Sequence, residues 1–175
     1  LVFLLNKFKL INVRTWVLKV INIGIDQYYK NREESNKYLF NDNKNTKNIK
    51  ILTNRGYFFA DSYDMGDPSL KDWNPLPNSK VLLINPESKY TLKRYEEIKS
   101  VAKNKNWDIE HFKNDIKNSA AKMTGIENLE VRLHSEPSVF RLIITDDYLY
   151  LSGFPGNDFG KNKPVYRIPK NTFLF

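Results

Sequence analysis

The 175-residue chain carries 28 Lys+Arg against 20 Asp+Glu, a formal net charge of +8, with 41% hydrophobic and 27% charged residues. That length suits one domain with a single hydrophobic core, and the balance is globular rather than disordered. It contains no cysteine, which excludes disulfide frameworks, thiolate zinc sites and cysteine nucleophiles and fits a reducing, cytoplasmic compartment.

A basic chain is drawn to nucleic acid, anionic lipid or phosphorylated small molecules. Lysine, asparagine and isoleucine abound together here, however, as they do under biased base composition, so charge alone assigns no partner. Leu1 to Leu5 are apolar, but Lys7 and Lys9 interrupt them, and no run approaches the ~18–20 apolar residues that span a bilayer. A secretory signal and a membrane partner are therefore not expected. The start at Leu1 and the stop at Phe175, just after an apolar run, are compatible with a fragment.

In chain order, Val13, Trp16, Val17, Val20, Ile21, Ile25 and Tyr28 recur at near-helical spacing and predict an amphipathic helix, packed on its own domain or on a partner subunit in preference to lying on a membrane surface. Residues 31–48 are polar and read as a linker with a short helix, so residues 1–46 form a helical extension and 47–175 the main domain. Ile49 to Thr53 predicts a buried strand closed by Asn54-Arg55-Gly56, and 57–79 a long loop containing Gly66, Pro68, Pro75 and Pro77. Val81 to Ile84 is a second buried strand. Tyr90, Leu92, Tyr95, Ile98, Val101 and Ala102 follow as a helix. Asp108 caps a second helix bearing Ile109, Phe112, Ile116, Ala120 and Met123, with Gly125 just past its end. Strands follow at Leu129 to His134, Val139 to Thr145 and Tyr148 to Ser152. The fold class this order predicts is α/β, a mixed β-sheet flanked by helices.

The segment Val139 to Asn157, VFRLIITDDYLYLSGFPGN, resembles the signature of the phospholipase D superfamily: His-x-Lys, four residues, Asp, six residues, Gly, then Ser and Asn. With Asp146 on the family's Asp, Arg141 takes the Lys position and Gly153 the Gly position. Asn157 falls one residue late, and Val139 stands where the family has its His. The resemblance covers about residues 47–175 and implies a phospholipase D-like half-domain of bacterial type, one copy of a paired site, hence a homodimer about the motif. It further implies a phosphodiester, nucleotide or nucleic-acid partner, and metal-independent phosphohistidine chemistry that needs no cofactor. Arg141 keeps the positive charge and grips phosphate. Val139 removes the nucleophile.

Residues 135–138 read as a four-residue hairpin loop, which sets His134 opposite Val139 and Arg132 opposite Arg141. In that register His134, Arg132, Arg141 and Thr145 share one face, while Leu129, Val131, Leu133, Phe140, Leu142 and Ile144 form the other. His134 is then the candidate replacement nucleophile, Arg141 its phosphate grip and Asp146 its orienting carboxylate. Arg132, Arg141, Thr145 and Asn157 are the candidate ligand contacts. Two readings stand at this point: an anion-binding module with a degenerate motif, and a phosphodiesterase or nuclease using His134 with Arg141. Asp146-Asp147 also suits a plain turn. His111 has Asp115 rather than a second histidine at i+4, and Asp61, Asp64 and Asp67 lack the well-placed Gly and Glu of a calcium loop, so no metal site is expected. Arg55-Gly56 offers backbone amides to a phosphate only weakly, and Tyr57, Phe58, Phe59, Tyr63 and Trp73 are read as core cover before base-stacking platforms.

Overall fold

The computed structural model describes residues 24–42, 46–56, 60, 78–99, 108–153 and 162–172. Gln27–Tyr29 (β1) leads into Arg32–Asp42 (α1). Asn31 caps this helix, its Oδ1 accepting from the Glu34 amide at 2.9 Å, while the Glu34 carboxylate accepts from the Lys30 amide at 2.7 Å. Lys50–Thr53 (β2) and Ser79–Ile84 (β3) follow, then Lys89–Lys99 (α2) and Ile109–Thr124 (α3). Leu129–His134 (β4), Phe140–Ile144 (β5), Tyr148–Gly153 (β6) and Val165–Pro169 (β7) complete the described elements.

The fold is α/β. Its seven described strands form one mixed sheet in the order β1-β7-β6-β5-β2-β3-β4, with β2, β3 and β4 parallel and β5, β6, β7 and β1 antiparallel to their neighbours. The parallel half follows from the two-helix crossover between β3 and β4, since parallel neighbours need a long connection. Asp108 caps α3 as expected, accepting from the His111 amide at 2.9 Å. Phe112, Ile116 and Met123, at helical spacing, bury against the face that carries Ile51, Val81 and Leu83. Gly56 lets the helix approach: its φ is +70°, and a Cβ there would lie 2.6 Å from Met123 Cε and 2.8 Å from Leu83 Cδ2.

Two expectations change here. Tyr28 sits in a strand rather than a helix, and the proposed boundary at residue 46 does not separate an extension from the domain. Strand β1 pairs with β7, Tyr29 and Leu39 join the core, and Arg167 grips Asp26 through Nε at 3.0 Å and Nη2 at 2.9 Å. The remainder of the expected N-terminal helix lies outside the described residues.

The expected β4–β5 hairpin is absent. Among the described residues strand β4 pairs only with β3, at the sheet edge, and β5 lies between β2 and β6. Three inter-strand steps of ~4.8 Å separate β4 from β5, about 14 Å. The five residues 135–139 span up to ~17 Å when extended, enough to run across the carboxyl ends of β3 and β2.

Candidate anion-binding site

Strand register decides which sequence candidates meet. Leu142 lies opposite Leu52, Leu52 opposite Leu82, and Leu82 opposite Arg132, so Arg132 shares a face with Leu142. Arg141 and Thr145 therefore point to the helix-covered face, and Arg132 and His134 to the other. His134, opposite Ile84 on the edge strand, is three strands away from Arg141 and on the wrong side of the sheet. The hairpin that was to bring His134, Arg132, Arg141 and Thr145 together does not form, and His134 cannot act as nucleophile for a phosphate held by Arg141. Arg132 is exposed and paired with Glu130, which also meets Lys80 at 3.1 Å. Burial of the His134 ring lowers its pKa below the ordinary imidazole value, against the opposing pull of Glu136.

Asp146 lies at the opposite end of β5 from Arg141, five residues or roughly 17 Å along the strand. It accepts from the Lys47 amide at 2.9 Å, the Asn48 amide at 3.4 Å and Asn48 Nδ2 at 3.1 Å. Burial pushes its carboxyl up, but these donors outweigh it and hold the pKa below the usual aspartate value. Thr145 closes the turn to β6, its amide donating to Tyr148 O at 2.8 Å and its Oγ1 accepting from the Tyr148 amide at 3.1 Å. Both residues serve the two-residue β5–β6 turn and the entry to β2. Asn157 lies outside the described residues, as do Tyr57, Phe58, Phe59, Tyr63 and Trp73.

What gathers around Arg141 is a different set. Arg141 is 3% exposed, opposite Ser152 on β6, and continuation of the register sets Thr53 of β2 on its other side. Burial drives the Arg141 pKa well below the ordinary guanidinium value, and the charge of Arg32 lowers it further. Arg32, the first residue of α1, is itself half-buried, and its pKa is pushed down to about 10 by burial and by the nearby Arg55. Arg55 follows β2, pairs with Asp115 at 3.0 Å and lies over the Phe112 ring at 5.6 Å. Among the described residues the Arg32 guanidinium makes no ion pair, and its Nε is buried with no hydrogen-bond partner, as is Ser152 Oγ. Three guanidinium groups thus converge at the carboxyl end of β2 with one described carboxylate among them.

A pocket of about 480 Å³ opens at the same strand ends, lined by Asn54, Tyr90, Lys93, Arg94, Ser138 and Val139 among others. The Asn54 Oδ1 and Ser138 Oγ atoms are buried there with no hydrogen-bond partner. The strap of residues 135–139 forms part of its wall, which is why a segment expected to be a hairpin loop matters to the site. Carboxyl ends of parallel strands are the usual seat of ligands in open α/β sheets. Arg55 was singled out in the sequence only for its place before Gly56, and Arg32 fell in what read as linker. Neither carries a spacing motif that links it to Arg141.

Among the described residues no helix is long and apolar enough to cross a membrane, and no group of three or more His, Cys, Asp or Glu could hold a metal ion. No family model matches the chain, and no curated protein matches it. Among solved structures it is similar to TrmBL2, an archaeal chromatin protein that binds DNA, at 13% identity and a TM-score of 0.42. The match covers 90% of this chain and 53% of TrmBL2, so the chain spans about half that protein's length.

Proposed function

We propose that this is a phospholipase D-like domain that binds a phosphodiester- or nucleotide-type anion without cleaving it. The observation that carries the reading is the half-buried Arg32 guanidinium, its Nε enclosed without a hydrogen-bond partner, near Arg141 and without an acidic partner among the described residues. A buried cation costs several kcal/mol unless an anion offsets it, and a phosphate between two guanidinium groups does so with directed hydrogen bonds. The pocket of about 480 Å³ at the same strand ends is of nucleotide-binding size and is lined by Lys93 and by the ion-paired Arg94 and Glu97, with Arg32, Arg55 and Arg141 lying outside its lining. Val139 and Arg141, at the positions of the family's His and Lys, keep the phosphate grip and lose the nucleophile. A cysteine-free chain with this ligand class suits the cytoplasm.

The test is calorimetric titration with inorganic phosphate and with a thymidine dinucleotide, comparing the wild type with Arg32→Met and, as control, His134→Ala. Arg32→Met weakens binding at least about tenfold, roughly 1.4 kcal/mol, and His134→Ala leaves it unchanged. Equal binding by Arg32→Met, or no saturable binding by the wild type, would sink the reading. Chelator-resistant hydrolysis of the dinucleotide would overturn its non-catalytic half.

A further inference from the structure

Strand β4 reads Leu-Glu-Val-Arg-Leu-His and forms the sheet edge among the described residues, bonded to β3 alone. No described strand pairs with its outer side, and Leu133 is 49% exposed and the Arg132 side chain 66% exposed. The His134 carbonyl accepts from the Asn85 amide at 2.7 Å, so His134 turns its main-chain groups toward β3. By alternation Arg132 and Glu130 do the same, and Leu129, Val131 and Leu133 turn theirs outward. An edge of this kind is a template for another strand.

We propose that β4 pairs antiparallel with β4 of a second copy, about a two-fold axis through Val131, joining two sheets into one. In this register Val131 faces Val131 and Leu129 faces Leu133. These are the residues whose main-chain groups point outward, so they form the hydrogen-bonded pairs. Glu130 then faces Arg132 of the second copy in the narrow, non-hydrogen-bonded pair, where side chains come closest. The neighbouring symmetric registers, centred on Glu130 or on Arg132, set like charges face to face. Registers shifted by an odd residue set outward groups against inward ones. The six-residue strand is thus self-complementary in one register, as a two-fold interface requires. Lys80 beside Glu130 continues the alternation of charge across the joint.

The chain is examined whole by sedimentation velocity from about 1 to about 100 µM, a range that brackets interfaces of modest area. The expected species has twice the 20.7 kDa of the chain. Glu130→Arg and Arg132→Glu each weaken self-association at least tenfold, yet the two variants mixed together associate, because their charges complement each other. Val131→Pro removes an outward amide, leaves the β3 ladder intact and abolishes the dimer; circular dichroism verifies that it folds. A wild type that stays monomeric throughout overturns the proposal. So does a dimer indifferent to Val131→Pro, or a failure of the two folded charge variants to associate on mixing.

Discussion

Replacing Arg32 by methionine is expected to make the protein more stable and less able to bind its ligand. The fall of the Arg32 pKa to about 10 from the ordinary guanidinium value is a free-energy difference between charged and neutral forms in the folded protein. At ~1.4 kcal/mol per pH unit it amounts to roughly 3 kcal/mol held against the fold at neutral pH, where the group stays charged. Methionine keeps most of the side-chain volume, and exchanging a buried ion for an apolar residue of similar size is commonly neutral or stabilising by about 1–4 kcal/mol. Arg32 also stands in the first turn of α1, where a cation opposes the helix dipole. A gain of about 2 kcal/mol, or roughly 4–8 °C in Tm for a chain of this size, is the expected result. The assay is thermal unfolding followed by circular dichroism, with and without phosphate. Phosphate at a hundred times its wild-type dissociation constant stabilises the wild type by about 2.7 kcal/mol and a variant of tenfold weaker affinity by only about 1.4 kcal/mol, narrowing the gap between them. A variant that melts below the wild type without phosphate refutes the reasoning, because a group within the fold then balances the Arg32 charge.

Asp146→Ala removes a carboxylate that accepts three hydrogen bonds from Lys47 and Asn48, and is expected to lower stability by about 2–4 kcal/mol in urea titration. Its folded pKa is below the unfolded value of ~3.9, so the contribution is complete above that value and is lost as pH falls through the folded pKa; the difference between wild type and variant therefore shrinks below about pH 4. Gly56→Ala places a Cβ in a left-handed backbone and against Met123 and Leu83, and is expected to cost roughly 1–3 kcal/mol in the same titration. An alanine variant as stable as the wild type would mean that α3 can shift away from β2.

Helix α3 was legible because every level agreed: an Asp cap, apolar residues at i, i+4 and i+11, and a glycine after the last turn. Strands β2 to β6 were legible as strands for similar reasons, whereas β1 has three residues and no room for a pattern. The pairing of β4 with β5 was misread because a short connection between two strands ordinarily means a hairpin. Here the connection is an extended strap across two parallel strands, and sequence spacing does not distinguish them. The faces of β5 were misread for another reason. Phe140, Leu142 and Ile144 are the apolar set, so burial was expected on their side. The structure instead buries Arg141, Ile143 and Thr145, and leaves Phe140 48% exposed. Hydrophobic pattern predicts the buried face only when the core is purely apolar. A core that holds a guanidinium inverts the signal.

The distribution of arginine was a usable clue. Only seven of the 28 cationic residues are arginine, so in this lysine-rich chain each arginine departs from the prevailing cation. Among the described ones, Arg94 and Arg141 are buried, Arg32 is half-buried, and Arg167 is locked to Asp26 over the Tyr148 ring at 4.5 Å. Arg55 sits over Phe112, and Arg132, paired with Glu130, is the one among them that is largely exposed. The physical reason is hydration. A guanidinium spreads its charge over a plane, is weakly hydrated and bonds in fixed directions, so it tolerates burial where a lysine ammonium tends to lose its proton. The same reasoning accounts for Arg141 at a position where the resembling family has lysine: the site beneath α1 is dry enough to favour the group that stays charged when buried. A lysine at 141 would be pressed toward its neutral form there, and the proposed grip on an anion would fail with it.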